Sequence, residues 1–295
     1  MAEETKDTTA SVPANLEDEQ NEEDNDEEVS QSEPSLELDV EDKELFHQMM
    51  EAGVFYGRSK SITNPLTKKY ILTTRSGFEV IDIQEAIGCL KRAAEVLKAR
   101  MAEKRTVLFI GTSPAVKKSV KAAAQKLGVF YVTERWLGGT LTNFKTITKR
   151  TGYFKKLKGD KKSGKLDKYT KKEQLKIGKE LVKLEKLLGG IEEMEDLPSL
   201  VFIADLKKNE FAAREAKQKH IPVIAFLNTD GNPNLVDYPI PANDRNPKSV
   251  ELLMSYLVSE AEEGKKNALK LEDKPKAEPE KNSKDKQKEK SKEDA

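Results

Sequence analysis

The chain has 295 residues, of which 35% are charged and 36% hydrophobic, with 52 basic and 52 acidic side chains and a single cysteine. That length can bury a sizeable core, while one cysteine excludes an intrachain disulfide and a cysteine-built zinc cage. No apolar run approaches the ~20 residues that span a bilayer, and the N-terminus has the order of neither a secretory signal nor a transit peptide, so a cytoplasmic protein is expected.

The balanced charge hides an asymmetry. Residues 1–44 carry 18 acidic and 2 basic side chains, a net of −16, which leaves +16 on the remainder. A folded part with that surplus prefers polyanions or acidic surfaces. Residues 1–41 are poor in aromatics and interrupted by Pro13 and Pro34, and are expected to be a disordered acidic arm. The arm is a candidate shield for the basic surface, an idea that fails if deleting residues 1–40 leaves salt-dependent RNA affinity unchanged. Residues 265–295 mix Lys, Glu, Asp, Ser and Pro and are expected to form a disordered charged tail.

Order is expected from a helix at about Asp42–Ala52, stopped by Gly53. A loop through Arg58, Lys60, Asn64–Pro65, Lys68 and Lys69 follows. Tyr70–Thr73 and Phe78–Asp82, separated by Thr74–Gly77, read as a β-hairpin. Asp82 and Glu85 fit a helix cap. Ile83, Ile87, Leu90, Ala94, Leu97 and Met101 then repeat at helical spacing, and Cys89 reads as a small core residue of that helix.

A strand–helix alternation comes next. Val107–Ile110 is apolar throughout, as in a strand buried on both faces. Gly111–Thr112 leads into Ser113 as N-cap and Pro114 at the first helical position, and that helix stops at Gly128. Strands are expected at Val129–Val132, Leu200–Ala204, Pro222–Leu227 and Tyr238–Ile240. Helices are expected at Glu210–Lys219 and from Asn246–Pro247 to a stop at Gly264. Such alternation implies a parallel sheet with helices on both faces. The predicted organisation is an α/β three-layer domain over 42–141 and 191–264, with residues 142–190 as an insertion.

The insertion is helical. Ile147, Thr151, Phe154 and Leu157 repeat up to Gly159, and after a polar tip Thr170 and Glu173 form a capping box ahead of Ile177, Leu181, Leu184 and Leu188. This predicts an antiparallel hairpin, or coiled coil, projecting from the domain between two Gly-Gly pairs. Residues 149–188 hold 15 Lys and Arg against 5 Asp and Glu, more than solubility requires.

The hairpin is entered through Glu134–Arg135–Trp136–Leu137–Gly138–Gly139–Thr140–Leu141–Thr142–Asn143–Phe144, which contains the only tryptophan. Two glycines give the backbone unusual freedom, and Thr140 or Thr142 can cap the next helix. Locally, two readings stay open: a hinge, or part of a nucleic-acid surface. Cations and aromatics are interleaved here, with Tyr56, Trp136, Phe144, Tyr153 and Phe154 among the basic residues, and RNA binding uses both phosphate contacts and stacking.

Other chemistries have less behind them. Gly111–Ser113 sits where phosphate-binding loops sit in doubly wound folds, and Asp205 ends a strand, but there is no G-x-G-x-x-G and no Walker lysine. A nucleotide- or sugar-phosphate-binding Rossmann-like enzyme therefore rests on fold analogy alone. A protein-binding adaptor is a third reading. His47 and His220 lack partners at metal-ligand spacing, and neither a cofactor nor a catalytic residue is expected.

Taken in order, several segments resemble the bacterial small-subunit ribosomal protein S-2 family. The signature R-W-L-G-G-x-L-T-N-F is matched at Arg135–Phe144. Gly53–Val54, Gly57, Asn64–Pro65, Ile81–Asp82, Gly111–Thr112, Thr170–Glu173, Leu188–Ile191, Ile221–Val223 and Asn243–Asp244 follow the same pattern. The resemblance covers about Leu45–Gly264. It implies a flavodoxin-like doubly wound parallel sheet of order 2-1-3-4-5 with a protruding helical hairpin, in a non-catalytic protein that binds small-subunit rRNA. It also implies neighbouring ribosomal proteins as partners, including the large S-1 protein, with no membrane and no homo-oligomer. The RNA-binding residues expected are Arg58, Lys60, Lys68, Lys69, Arg75, Arg135, Trp136, Asn143, Lys145, Lys149, Arg150, Lys155, Lys156 and Lys158. Phe55 and Arg58 stand where the family often has histidines, which puts any histidine-bound metal there in doubt.

Overall fold

A computed structural model describes residues 40–272. The acidic arm as far as residue 39 and the tail beyond residue 272 lie outside the described residues. The elements, in order, are α1 (Val40–Glu51), β1 (Tyr56–Ser59), β2 (Ile71–Arg75), β3 (Phe78–Ile81), α2 (Ile83–Ala102), β4 (Val107–Ile110), α3 (Pro114–Leu127), β5 (Phe130–Val132), α4 (Phe144–Lys162), α5 (Lys171–Leu188), β6 (Leu200–Ile203), α6 (Glu210–Gln218), β7 (Val223–Leu227), β8 (Tyr238–Pro241) and α7 (Pro247–Glu272).

Five strands form a parallel sheet in the order β5-β4-β6-β7-β8. β4, β6 and β7 are buried along their whole length, because strands covered on both faces must be apolar at every position. Alternate residues serve opposite layers. Val107, Phe109, Phe202 and Phe226 face α2, α3 and α7, while Leu108, Ile110, Val201, Ile203, Val223 and Ala225 face α6 and the base of the insertion. Phe109, Phe202 and Phe226 run across the first layer with ring centroids 5.0 and 5.1 Å apart, a favourable aromatic spacing.

Local chemistry explains most boundaries. Asp82 caps α2 by accepting from the Gln84 and Glu85 amides. Glu85 does not return the bond: it meets Arg92 instead, and the Asp82 amide donates to Tyr70. Gly128 ends α3 in the left-handed conformation, at φ +66°.

Three expectations change. The hairpin is a three-stranded antiparallel sheet of order β1-β3-β2, because the segment read as a loop supplies β1. Gly57 permits this: a Cβ there would lie 2.7 Å from the Glu79 carbonyl oxygen. The turn between β2 and β3 is the pair Ser76–Gly77, both at positive φ. Finally, Gly264 is not a stop, and α7 continues to Glu272, through the first eight residues of the expected disordered tail. A Cβ on Gly264 would stand 2.4 Å from the Lys98 carbonyl oxygen, so this glycine lets α7 cross closely over α2. Lys265, one residue on, donates to the Leu127 carbonyl at the end of α3.

Candidate nucleic-acid interface

The stretch between β5 and α4 is wound around one carboxylate. Glu215 Oε1 on α6 accepts from Trp136 Nε1 at 3.0 Å and from the Gly139 amide at 2.8 Å. Its Oε2 accepts from the Leu141 amide at 3.0 Å and from the Thr142 amide and hydroxyl, both at 3.2 Å. Partial burial raises the carboxyl's pKa, but these donated hydrogen bonds outweigh it and hold the group below its ordinary value. Gly139 turns the chain at φ +87°, a conformation that favours glycine.

Neither threonine caps α4. The Thr140 hydroxyl donates to the Leu137 carbonyl and the Thr142 hydroxyl to Glu215, so the helix starts at Asn143, whose side chain accepts from Thr146. The Gly-Gly pair at the other end of the insertion is held in place as well. Gly190 lies against the edge strand β5, where a Cβ would stand 2.1 Å from the Tyr131 carbonyl oxygen. Both ends of the insertion are seated on the domain.

α4 is two-sided. Ile147, Thr151 and Phe154 are buried, while Lys145, Lys149 and Lys156 fall on the opposite side of the helix, flanked by Arg150 and Lys155. These five are exposed, and among the described residues none of them forms an ion pair. Lys158 differs, because it bridges Glu192 at 2.8 Å. Tyr153 meets Glu180 on α5, and Leu175 on the same helix is exposed.

Arg135 is exposed beside the partly buried Trp136, and Asn143 is exposed at the entry to α4. A second basic group, Lys60, Lys68, Lys69 and Arg75, is exposed on the small sheet and the turns leading to it. The two groups sit on different elements. The insertion seats on β5, one edge of the five-stranded sheet, while the small sheet is tied to the loops after β7 and β8 near the other.

Arg58 makes that tie and is not a surface cation. It is buried, bonds Asp244 at 2.7 Å and faces Asp230 at 3.4 Å, and its amide donates to the Thr229 hydroxyl. Burial pushes the Asp244 carboxyl up, opposed by Arg58 and Asn228. The expectation of an RNA contact from Arg58 is thus corrected: its guanidinium is buried against two carboxylates of the chain and is not presented to a partner.

The carboxyl edge of the sheet, where α/β folds usually place ligands, is filled by the protein itself. Asp205 accepts from the Ser113 amide at 2.7 Å and the Thr112 amide at 3.2 Å, at the start of α3. A carboxylate of the chain thereby holds the place where a bound phosphate would meet that helix. Among the described residues, no cluster of His, Cys, Asp and Glu could hold a metal ion.

Comparison with known proteins follows the same residues. The sequence model described as ribosomal protein S2 matches residues 49–264. The chain belongs to the ribosomal protein S2 family. The small ribosomal subunit protein uS2 of Oenococcus oeni is 40% identical over 218 residues, covering 74% of this chain and 84% of that one. Its namesake from Rhodococcus erythropolis is 42% identical over 217 residues, covering 74% and 76%, and that of Nocardia farcinica is 41% identical over 217. The ribosomal protein S2 family is structural and not enzymatic. In this S2-family chain the signature Arg135–Phe144 is therefore the segment that Glu215 organises. Glu215 itself was missed by sequence reasoning; the only hint is a charged residue beside Ala212, Ala213 and Ala216 on a short helix.

Proposed function

We propose that the chain is a structural constituent of the small ribosomal subunit that binds small-subunit rRNA through lysine and arginine contacts to phosphates. Positioning comes from shape more than from base sequence. The observation that carries this reading is the face of α4 holding Lys145, Lys149 and Lys156, exposed, without ion pairs and directly opposite the buried stripe. Such a face has no internal use for its charge. Arg135, Arg150 and Lys155 extend it, and Trp136 and Asn143 fix the turn from which it starts.

On this reading the five-stranded sheet is a flavodoxin-like scaffold of order 2-1-3-4-5, from which α4 and α5 project toward RNA and neighbouring proteins. The S-1 protein is among the partners proposed, and the chain acts as a single copy on cytoplasmic ribosomes. The relatives' shared name, small ribosomal subunit protein uS2, supports this assignment. Sedimentation tests it. The tagged chain should travel with small subunits in sucrose gradients and be released by high salt; a chain that stays at the top of the gradient at low salt contradicts it.

A further inference from the structure

The small antiparallel sheet presents an exposed face with two aromatic rings. β3 lies between β1 and β2, with Tyr56 opposite Val80 and both Ser59 and Arg75 opposite Phe78. Paired residues share a face, so Tyr56, Phe78, Val80 and Arg75 point the same way, outward. Tyr56 is 56% exposed and Phe78 57% exposed. Large aromatics at neighbouring positions of an open sheet face are unusual unless something covers them. The Tyr56 ring is also braced from behind by Phe55, with centroids 4.1 Å apart and planes inclined by 33°.

The charge around this face has one sign. From Tyr56 to Phe78 there are five cations and no Asp or Glu. Arg58 is spent on Asp230 and Asp244, which leaves Lys60, beside Gly77, and Arg75, opposite Phe78, as the exposed cations at this face. The nearby Glu79 is turned to the buried side, where it accepts from Thr74. Flat exposed rings with Arg75 and Lys60 beside them match the chemistry of unpaired RNA, whose bases stack while its phosphates pair with Lys and Arg.

We propose that the outer face of the β1-β3-β2 sheet is a stacking platform for unpaired bases, with Tyr56 and Phe78 as the rings and Arg75 and Lys60 holding the flanking phosphates. The platform rests on the rRNA-binding reading and divides the labour. The α4 face follows paired backbone, whereas the small sheet takes bases freed from pairing.

The test compares two probes on the full chain: an unpaired RNA of about 12 nucleotides, within the usual single-strand site sizes, and a duplex RNA of equal charge. The double variant Tyr56→Ser with Phe78→Ser should bind the unpaired probe at least tenfold more weakly and the duplex about as well as the parent. Phe78→Tyr, which keeps a ring, should retain the parent affinity for both. Reversing Lys149, Arg150, Lys155 and Lys156 to Glu should produce the opposite pattern, weakening the duplex more. Unchanged affinity of the double variant for the unpaired probe overturns the platform while leaving the rRNA reading in place. Failure of the parent chain to bind either probe overturns both. Self-association of the parent that the double variant abolishes, with no loss of affinity for the unpaired probe, assigns the face to a second copy and also overturns the proposal.

Discussion

Glu215 shows how one side chain on another element can fix a signature segment. Its carboxylate takes bonds from Trp136, Gly139, Leu141 and Thr142, so removing it leaves several donors unpaired at once. Glu215→Ala should destabilise the fold by about 1.5–3 kcal/mol, the range for hydrogen bonds to a charged group. Urea unfolding followed by the fluorescence of Trp136, the sole tryptophan, measures it directly. The pH dependence has a definite sign. The carboxyl is held below its ordinary value in the folded state, so its contribution is complete above the unfolded glutamate pKa of about 4.3. It is lost as pH falls through the lower, folded value. Glu215→Gln should therefore flatten the stability curve of the parent below about pH 4.3, and an unchanged acid limb contradicts the role. Arg58 calls for a different experiment. Arg58→Met leaves Asp230 and Asp244 close together without their cation, at an expected cost of about 3–5 kcal/mol in thermal or urea unfolding. A cost below 1 kcal/mol would return Arg58 to the list of surface cations.

Glycines mark the places where elements touch most closely. Gly190→Ala drives a Cβ toward the Tyr131 carbonyl oxygen, and Gly264→Ala drives one toward the Lys98 carbonyl oxygen. Each should lower stability by about 3 kcal/mol, because backbone gives way less readily than a side chain. Gly159→Ala, where nothing lies within 4 Å, is the control and should be neutral or stabilising. Gly190 and Gly264 also show where legibility ended. Periodicity places the apolar stripe of α2 and the runs of β4, β6 and β7, since those patterns are local. It is silent about what lies across an element. Gly190 therefore read only as a flank of the projecting hairpin and Gly264 as a stop, when both are contact points. The same limit hid β1: four residues with a bulge carry too short a pattern to separate strand from loop. The site divided along the same line. Exposed cations such as Lys149 and Arg150 were legible from composition, while the burial of Arg58 depends on carboxylates 172 and 186 positions further along the chain.

At the scale of the whole molecule, a doubly wound domain has closed its usual ligand edge and carries its exposed cations on other elements. Asp205 occupies the start of α3, Arg58 occupies the loops after β7 and β8, and free cations gather on α4 and the small sheet. A surface of that kind binds polyanions by releasing counterions, so its affinity must depend steeply on salt. The direct measurement is the affinity of the full chain for naked small-subunit rRNA across a salt series. The parent is compared with the variant in which Lys149, Arg150, Lys155 and Lys156 are reversed to Glu. The expected result is a linear fall of log affinity with log salt for the parent, with a slope shallower by about 3–4 in the variant and no change in its thermal unfolding. Equal affinities and equal slopes for the two proteins would contradict the assignment of rRNA binding to α4.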